Sequence, residues 1–312
     1  MTLPSRATLL AGLILLAAAG PGPRDIAATL PDGRTLNLWC AGSGQPTVLL
    51  EGGWSADSRG WSRVIGPLAQ RSRVCAIDRA GAGRSSPGPL PRDGNAIARD
   101  LDEALTAAEI AGPYVLVGHS SGGLYIRHFA MRRPDDIAGM VFVDTSIVHQ
   151  PRRFAAASGQ PRAGSVGPVI RRSRTCLEAA RAGPIPADDP ELRRCRTSPP
   201  ERAAERWEAR LSEIETLFTT TSDALAGSPL IPPDVPVILL TAARTQPEGP
   251  AREFWHGLHL EIAAQSRKGE ARVIDSGHLM MNDDPGAIVT AVRDVIVRGG
   301  AAPANASRGC AP

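Results

Sequence analysis

The chain has 312 residues, 42% of them apolar, enough to bury one large core without help from disulfides. Its 35 basic and 32 acidic side chains leave a formal charge of +3 with no long basic block, which argues against nucleic acid as a partner. Almost all the basic residues are arginine, Lys268 being the single lysine, and this reads as compositional bias.

The N-terminus reads as a targeting segment. Arg6 precedes an apolar run, Ala7 to Ala19, that is too short for a comfortable membrane span, and Ala17-Ala18-Ala19 before Gly20 fits a cleavage site. Residues 1–19 are therefore expected to be a secretory signal peptide, with an uncleaved N-terminal anchor as the alternative. Residues 20–28 read as a short linker, and Leu30 to Cys40 as a hairpin turning at Asp32-Gly33. Thr47 to Glu51 is a buried strand that runs into Gly52-Gly53-Trp54. Ser62 to Gln70 reads as a helix, and Arg73 to Asp78 as a strand entering the Gly-rich loop Arg79 to Pro87. That loop lacks the Lys-Ser/Thr ending and the helix start of a phosphate-binding loop. Helical periodicity follows from Asn95 to Ala111, then a strand over Val115–Val117, a helix from Leu124 to Arg133, and a strand from Ile137 to Asp144.

This alternation predicts an α/β fold with a mostly parallel central sheet and helices on both faces. It breaks after Ser146. Residues 147–233 are rich in arginine, alanine and proline, with one clear amphipathic helix from about Pro200 to Thr220. The arginines of 152–210 read as solvated surface. The rhythm resumes with strands Val235–Leu240 and Ala271–Asp275 and helices Ala251–Ser266 and Gly286–Val297. The expected layout is a core over 28–146, an insertion over 147–233, the rest of the core over 234–298, and a flexible tail over 299–312 that carries a weak sequon at Asn305.

The chemistry gathers at Gly118-His119-Ser120-Ser121-Gly122, a G-x-S-x-G run between a strand and a helix. A serine on such a turn stands above the sheet edge, the flanking glycines let the backbone bend, and the following helix start offers free N–H groups. His119 must leave the turn in another direction than Ser120 and reads as a packing or supporting residue. His256 and His259 share one helix face without a ligand cluster, so they read as a solvated face and not a metal site. Trp61 reads as core, with a place beside Trp54 in the wall of an acyl pocket as the alternative.

The order Gly52-Gly53-Trp54, Asp78-Arg79-Ala80-Gly81-Ala82-Gly83, Gly118-His119-Ser120-Ser121-Gly122, Val143-Asp144 and Ser276-Gly277-His278 resembles the α/β-hydrolase superfamily, in its lidded serine-hydrolase branch. The resemblance covers residues 28–298 and implies a helical lid inserted after the sixth strand. It implies Ser120 as nucleophile, His278 as base, and backbone amides of Ser121 and Trp54 as the oxyanion hole. The family usually takes its acid from the loop after the penultimate strand, but Thr245 stands there. Asp144, closing the preceding strand, is the expected acid, with Glu248, Asp275 and Asp283 as alternatives. Glu51 and Arg79 fall at the active edge as a buried supporting pair.

In the family's sheet order the second and fourth strands are neighbours, which suits a Cys40–Cys75 bridge. Cys176 and Cys195 would close a short loop in the lid, leaving Cys310 over; five free thiols are the alternative. The implied activity is a secreted or periplasmic serine hydrolase acting on a small-molecule ester. Amide or peptide cleavage is the enzymatic alternative, and a non-catalytic binding protein the alternative of a different class. Haloalkane dehalogenases and epoxide hydrolases need a carboxylate nucleophile, which Ser120 excludes. No cofactor or metal is implied, and no stable membrane span is expected after signal cleavage. Acyl length and oligomeric state are not encoded in the motifs.

Overall fold

The computed structural model describes residues 22–161, 164–228 and 234–300; the expected signal peptide, Asn305 and Cys310 lie outside them. Eight strands form one sheet: β1 (Arg24–Thr29), β2 (Thr35–Ala41), β3 (Thr47–Glu51), β4 (Val74–Asp78), β5 (Tyr114–His119), β6 (Ile137–Val143), β7 (Val237–Ala242) and β8 (Gly269–Ile274). Their order across the sheet is β1-β2-β4-β3-β5-β6-β7-β8. β2 pairs antiparallel with both β1 and β4, and every other pairing is parallel. β1 occupies a segment expected to be linker. Most of its side chains are exposed, so it carries no apolar signature, and its place is set by the backbone ladder from Arg24–Cys40 to Thr29–Thr35.

Side-chain alternation along the buried strands divides the core between two faces. Leu49, Leu116, Met140, Phe142 and Leu239 point to one face. There they meet α2 (Gly94–Ala107), α3 (Gly122–Arg132) and α8 (Pro250–Ala263) through Leu101, Leu105, Ile126, Phe129, Trp255 and Leu258. Val48, Leu50, Val115, Val117, Val141 and Ile238 point to the other. They pack on α1 (Ser62–Ala69), α9 (Met280–Asp283) and α10 (Pro285–Arg298). Strands covered on both faces become continuous apolar runs, as the sequence shows. Truncating a side chain such as Phe129 or Phe142 would cost about 3–5 kcal/mol.

Between β6 and β7 the chain forms α4 (Gln150–Ser158), α5 (Gly167–Ala182), α6 (Ala203–Thr216) and α7 (Thr220–Leu225). Only the α6 region had a clear apolar stripe. α4 buries no residue fully, and α5 buries only Ser173, Cys176 and Leu177, so their periodicity is masked by arginine and alanine. Cys176 on α5 is disulfide-bonded to Cys195, and both pack against Trp207 of α6. Cys40 and Cys75 face each other across β2 and β4 and form the second disulfide. Because β3 to β8 run parallel, their C-terminal ends share one edge, where α/β sheets place their sites.

Candidate active site

Ser120 joins β5 to α3 with a φ of 52°, the left-handed region that non-glycine residues seldom adopt. Hydrogen bonds hold it there: its N–H donates to Val143 O at 3.1 Å, and its carbonyl accepts from Ser146 N at 2.9 Å and Gly123 N at 3.1 Å. The flanking glycines are required sterically. A Cβ on Gly118 would lie 2.7 Å from Gly122 O, and one on Gly122 would lie 2.5 Å from Glu51 O. A Cβ on Gly123 would overlap Thr145 Oγ1 at 1.6 Å, which extends the requirement to the third glycine of the run. Ser121 occupies the N-cap position of α3, with its peptide at the positive end of an 11-residue helix.

His278, in the loop after β8, brings Nδ1 within 2.7 Å of Asp144 Oδ2. Asp144 follows β6 and is 1% exposed. Its Oδ1 accepts from Trp255 Nε1 at 2.9 Å and from Ala242 N at 3.1 Å, and its Oδ2 also accepts from Thr245 Oγ1. Burial pushes this carboxyl up, but the hydrogen bonds from His278, Thr245 and Trp255 outweigh burial and hold it below the ordinary carboxylate value. Thr245, which stands where the acid was missing, thus donates to the carboxylate that reaches His278 from the neighbouring strand. The alternative acids lie elsewhere. Glu248 is 87% exposed and pairs with Arg252, and Asp275 pairs with Arg244. Asp283 accepts from Gly277 N at 2.7 Å, closing the loop that carries His278.

His119 packs its ring 4.7 Å from that of His278, and its Nε2 donates to the His278 carbonyl at 2.8 Å. Burial, helped by the His278 charge, pushes His119 down to about 4, so it is a neutral support for the His278 loop. Ser120, His278, His119, Gly53, Trp54 and Trp61 line one cleft of about 370 Å³, whose walls also include Ala56, Leu279 and Met281. Trp61 serves both core and cleft: it is 1% exposed, yet its ring borders the cavity. Gly53 abuts Ser120, since a Cβ there would lie 3.0 Å from Ser120 Cβ. The Trp54 peptide follows directly. Among the described residues, no cluster of three or more His, Cys, Asp or Glu could hold a metal ion.

Two expectations need correction or enlargement. His259 is not on a solvated face: it is fully buried, bonded to Thr241 Oγ1 at 2.7 Å and to the Thr145 carbonyl at 3.1 Å, with its ring tilted against that of Trp255 at 4.6 Å. The i, i+3 spacing does not reveal which side of an amphipathic helix faces the sheet; the apolar partners Trp255, Leu258 and Ile262 do. The Glu51–Arg79 pair is real but has a third member, Glu213 of α6, bonded to Arg79 at 2.8 and 3.0 Å. No sequence signal marks Glu213, which the structure buries on α6 beside Ala209 and Ile214.

A strand–turn–helix serine at the C-terminal edge of such a sheet, facing a histidine–aspartate pair, defines a class of α/β enzyme. The chain belongs to the alpha/beta hydrolase family, whose model matches residues 48–291. It is 40% identical over 95 residues to an uncharacterised protein of Schizosaccharomyces pombe, a match covering 30% of this chain and 18% of that one. It is 38% identical over 113 residues to a pimeloyl-[acyl-carrier protein] methyl ester esterase of Chromobacterium violaceum, covering 36% of this chain and 42% of the esterase. These matches span less than half the length of either relative. A candidate epoxide hydrolase from Pseudomonas aeruginosa has the same fold, with a TM-score of 0.62 and 18% identity over 90% of this chain and 97% of that one. Among the described residues no helix is long and apolar enough to cross a membrane.

Proposed function

We propose that this hydrolase cleaves carboxylic esters through Ser120, His278 and Asp144. The observation that carries the reading is the 2.7 Å contact between His278 Nδ1 and Asp144 Oδ2, beside a cleft that Ser120 and His278 line together. In the proposed reaction Ser120 Oγ attacks the ester carbonyl while His278 Nε2 takes the hydroxyl proton. Asp144 holds Nδ1–H, which fixes the tautomer and stabilises the imidazolium. The amides of Ser121 and Trp54 receive the oxyanion, each contributing roughly 3 kcal/mol at the transition state. The intermediate collapses, His278 protonates the departing alcohol, and water releases the acid by the same route.

The walls supplied by Trp54, Ala56, Trp61, Leu279 and Met281 favour a small or medium apolar acyl group. The Chromobacterium violaceum relative, an esterase by name, supports an ester over an amide. Residues 147–233 would act as the lid that shapes the entrance. The two disulfides suit an oxidising compartment, and with the N-terminal pattern they support export of the mature chain from about residue 20.

The test is hydrolysis of p-nitrophenyl esters of increasing acyl length beside Ser120→Ala. Turnover is expected for short and medium chains and is expected to vanish in Ser120→Ala. A chain that turns over no ester and leaves Ser120 unlabelled by a fluorophosphonate would overturn the reading. Cleavage of aminoacyl anilides in preference to esters would move it to amide hydrolysis.

A further inference from the structure

Arg79 has no empty donor. Its guanidinium is 2% exposed, and its five N–H groups meet five acceptors. Nε and Nη2 donate to the two oxygens of Glu213, at 2.8 and 3.0 Å. Nη1 donates to Glu51 and to the Gly52 carbonyl at 2.9 Å, and Nη2 donates to the Gly53 carbonyl at 2.9 Å. The Tyr125 ring lies 5.1 Å from the guanidinium carbon. Arg79 itself does not line the cleft that holds Ser120.

A trans peptide presents its N–H on the side opposite its C=O. Arg79 draws the Gly53 carbonyl away from the cleft, so the Trp54 N–H of the same peptide projects the other way, toward the side where Gly53 abuts Ser120. Two donors therefore orient this peptide, the Ala56 N–H at 3.1 Å within the turn and Arg79 from outside it, and the orientation of Arg79 depends on Glu213. Glu213 does not belong to the sheet domain. It sits on α6 of the insertion, 134 residues from Arg79 in sequence. α6 holds the same loop at a second point, where the Trp54 indole N–H donates to the Arg210 carbonyl at 2.8 Å.

We propose that Glu213, acting through Arg79, is a positioning residue for the oxyanion hole, so that α6 must be docked for the hole to be complete. The proposal rests on the reading of the Trp54 amide as an oxyanion donor. With the bidentate partner removed, Arg79 turns toward Glu51 alone, the Gly53 carbonyl keeps only the Ala56 N–H of its own turn, at 3.1 Å, and the Trp54 amide is held less firmly on the developing charge. Substrate still fits the cleft, because Glu213, Arg79 and Glu51 do not line it and the Trp54 indole keeps its bond to the Arg210 carbonyl. The insertion is then part of the catalytic geometry as well as a cover.

The test uses the full mature chain on p-nitrophenyl acetate. The parent and Ser120→Ala are read first. A parent without Ser120-dependent turnover overturns the hydrolase reading and this proposal with it. Given an active parent, Glu213→Gln is expected to lower kcat roughly 10- to 100-fold, a part of what losing a hole donor costs, with KM unchanged. Affinity for phenylboronic acid, whose tetrahedral Ser120 adduct places an oxygen in the hole, is expected to fall in step. In an Arg79→Met background, Glu213→Gln should cause no further loss of kcat, because its effect passes through Arg79. A folded Glu213→Gln with parental kcat, a loss confined to KM, or full additivity with Arg79→Met would each overturn the proposal alone. If Glu213→Gln does not fold, Glu213→Asp, which keeps the charge but is one methylene shorter and holds the carboxylate back from Arg79, is judged by the same split between kcat and KM.

Discussion

Two buried carboxylates flank Ser120 on the same sheet edge, and their electrostatics run in opposite directions. Asp144 follows β6 and Glu51 ends β3, and each is 1% exposed. Asp144 receives four donors, from His278, Thr245, Trp255 and the Ala242 backbone, and is held below the ordinary carboxylate value. Glu51 receives Arg79 on one oxygen, while the other oxygen has no hydrogen-bond partner among the described residues. Burial raises Glu51 to about 7, against the pull of the Arg79 charge and with a further push from Glu213. Equal burial thus gives unequal ionisation, because donor count and shared charge decide the outcome. One site keeps a fixed anion to orient a histidine. The other places two carboxylates on one cation.

The comparison can be broken most sharply at Asp144. Asp144→Asn keeps the shape but removes the charge beside His278 Nδ1, and under the proposed mechanism kcat is expected to fall by about 10⁴-fold. Steady-state ester hydrolysis measures this, and a loss below tenfold would make Asp144 a structural residue.

Glu51 offers the next largest effect, and on stability. Its folded value of about 7 lies above the reference of 4.5, so its contribution is fully present below pH 4.5 and is lost as pH rises through 7. Glu51→Gln removes that dependence. The unfolding free energy of the variant relative to the parent should therefore rise between pH 4.5 and pH 8, by up to about 3 kcal/mol. Urea titrations at the two pH values decide it, and a difference constant with pH would show that Glu51 stays ionised throughout.

The smallest effect belongs to Thr245. Thr245→Val deletes one donor to a charged carboxylate and should destabilise the fold by roughly 1.5–3 kcal/mol at pH 7. Asp144 has a depressed folded value, so its stabilisation exists above the reference of 3.8 and disappears as pH falls through the folded value. The gap between Thr245→Val and the parent should narrow accordingly in acid. A gap that persists unchanged after the parent's acid transition has passed through the folded value of Asp144 would mean that the hydroxyl contributes packing only.

What the sequence revealed was mostly local. The Ser120 turn is spelled by three glycines within six residues, and the buried strands announce themselves as apolar runs. Even the empty place at Thr245 could be read, because a strand end with an aspartate stood next in order. What stayed hidden depends on long-range partners. Trp255 meets Asp144 across 111 residues, and Glu213 meets Arg79 across 134. A buried glutamate on an arginine-rich helix looks like a solvated one until its partner is known. β1 was missed because an edge strand held by its backbone needs no apolar pattern.

The Cys40–Cys75 bridge joins positions 35 residues apart, and β3 with the Gly52–Trp54 loop lies wholly inside the ring it closes. In the unfolded chain a ring of this size removes roughly 4 kcal/mol of loop entropy. It also alters the outcome of proteolysis. A single cut anywhere between the two cysteines, for example beside the exposed Arg59, leaves two fragments that are still covalently joined. A nick in the segment proposed to bind the oxyanion would then not separate it from the strands that shape it, and reduction would be needed to release the pieces.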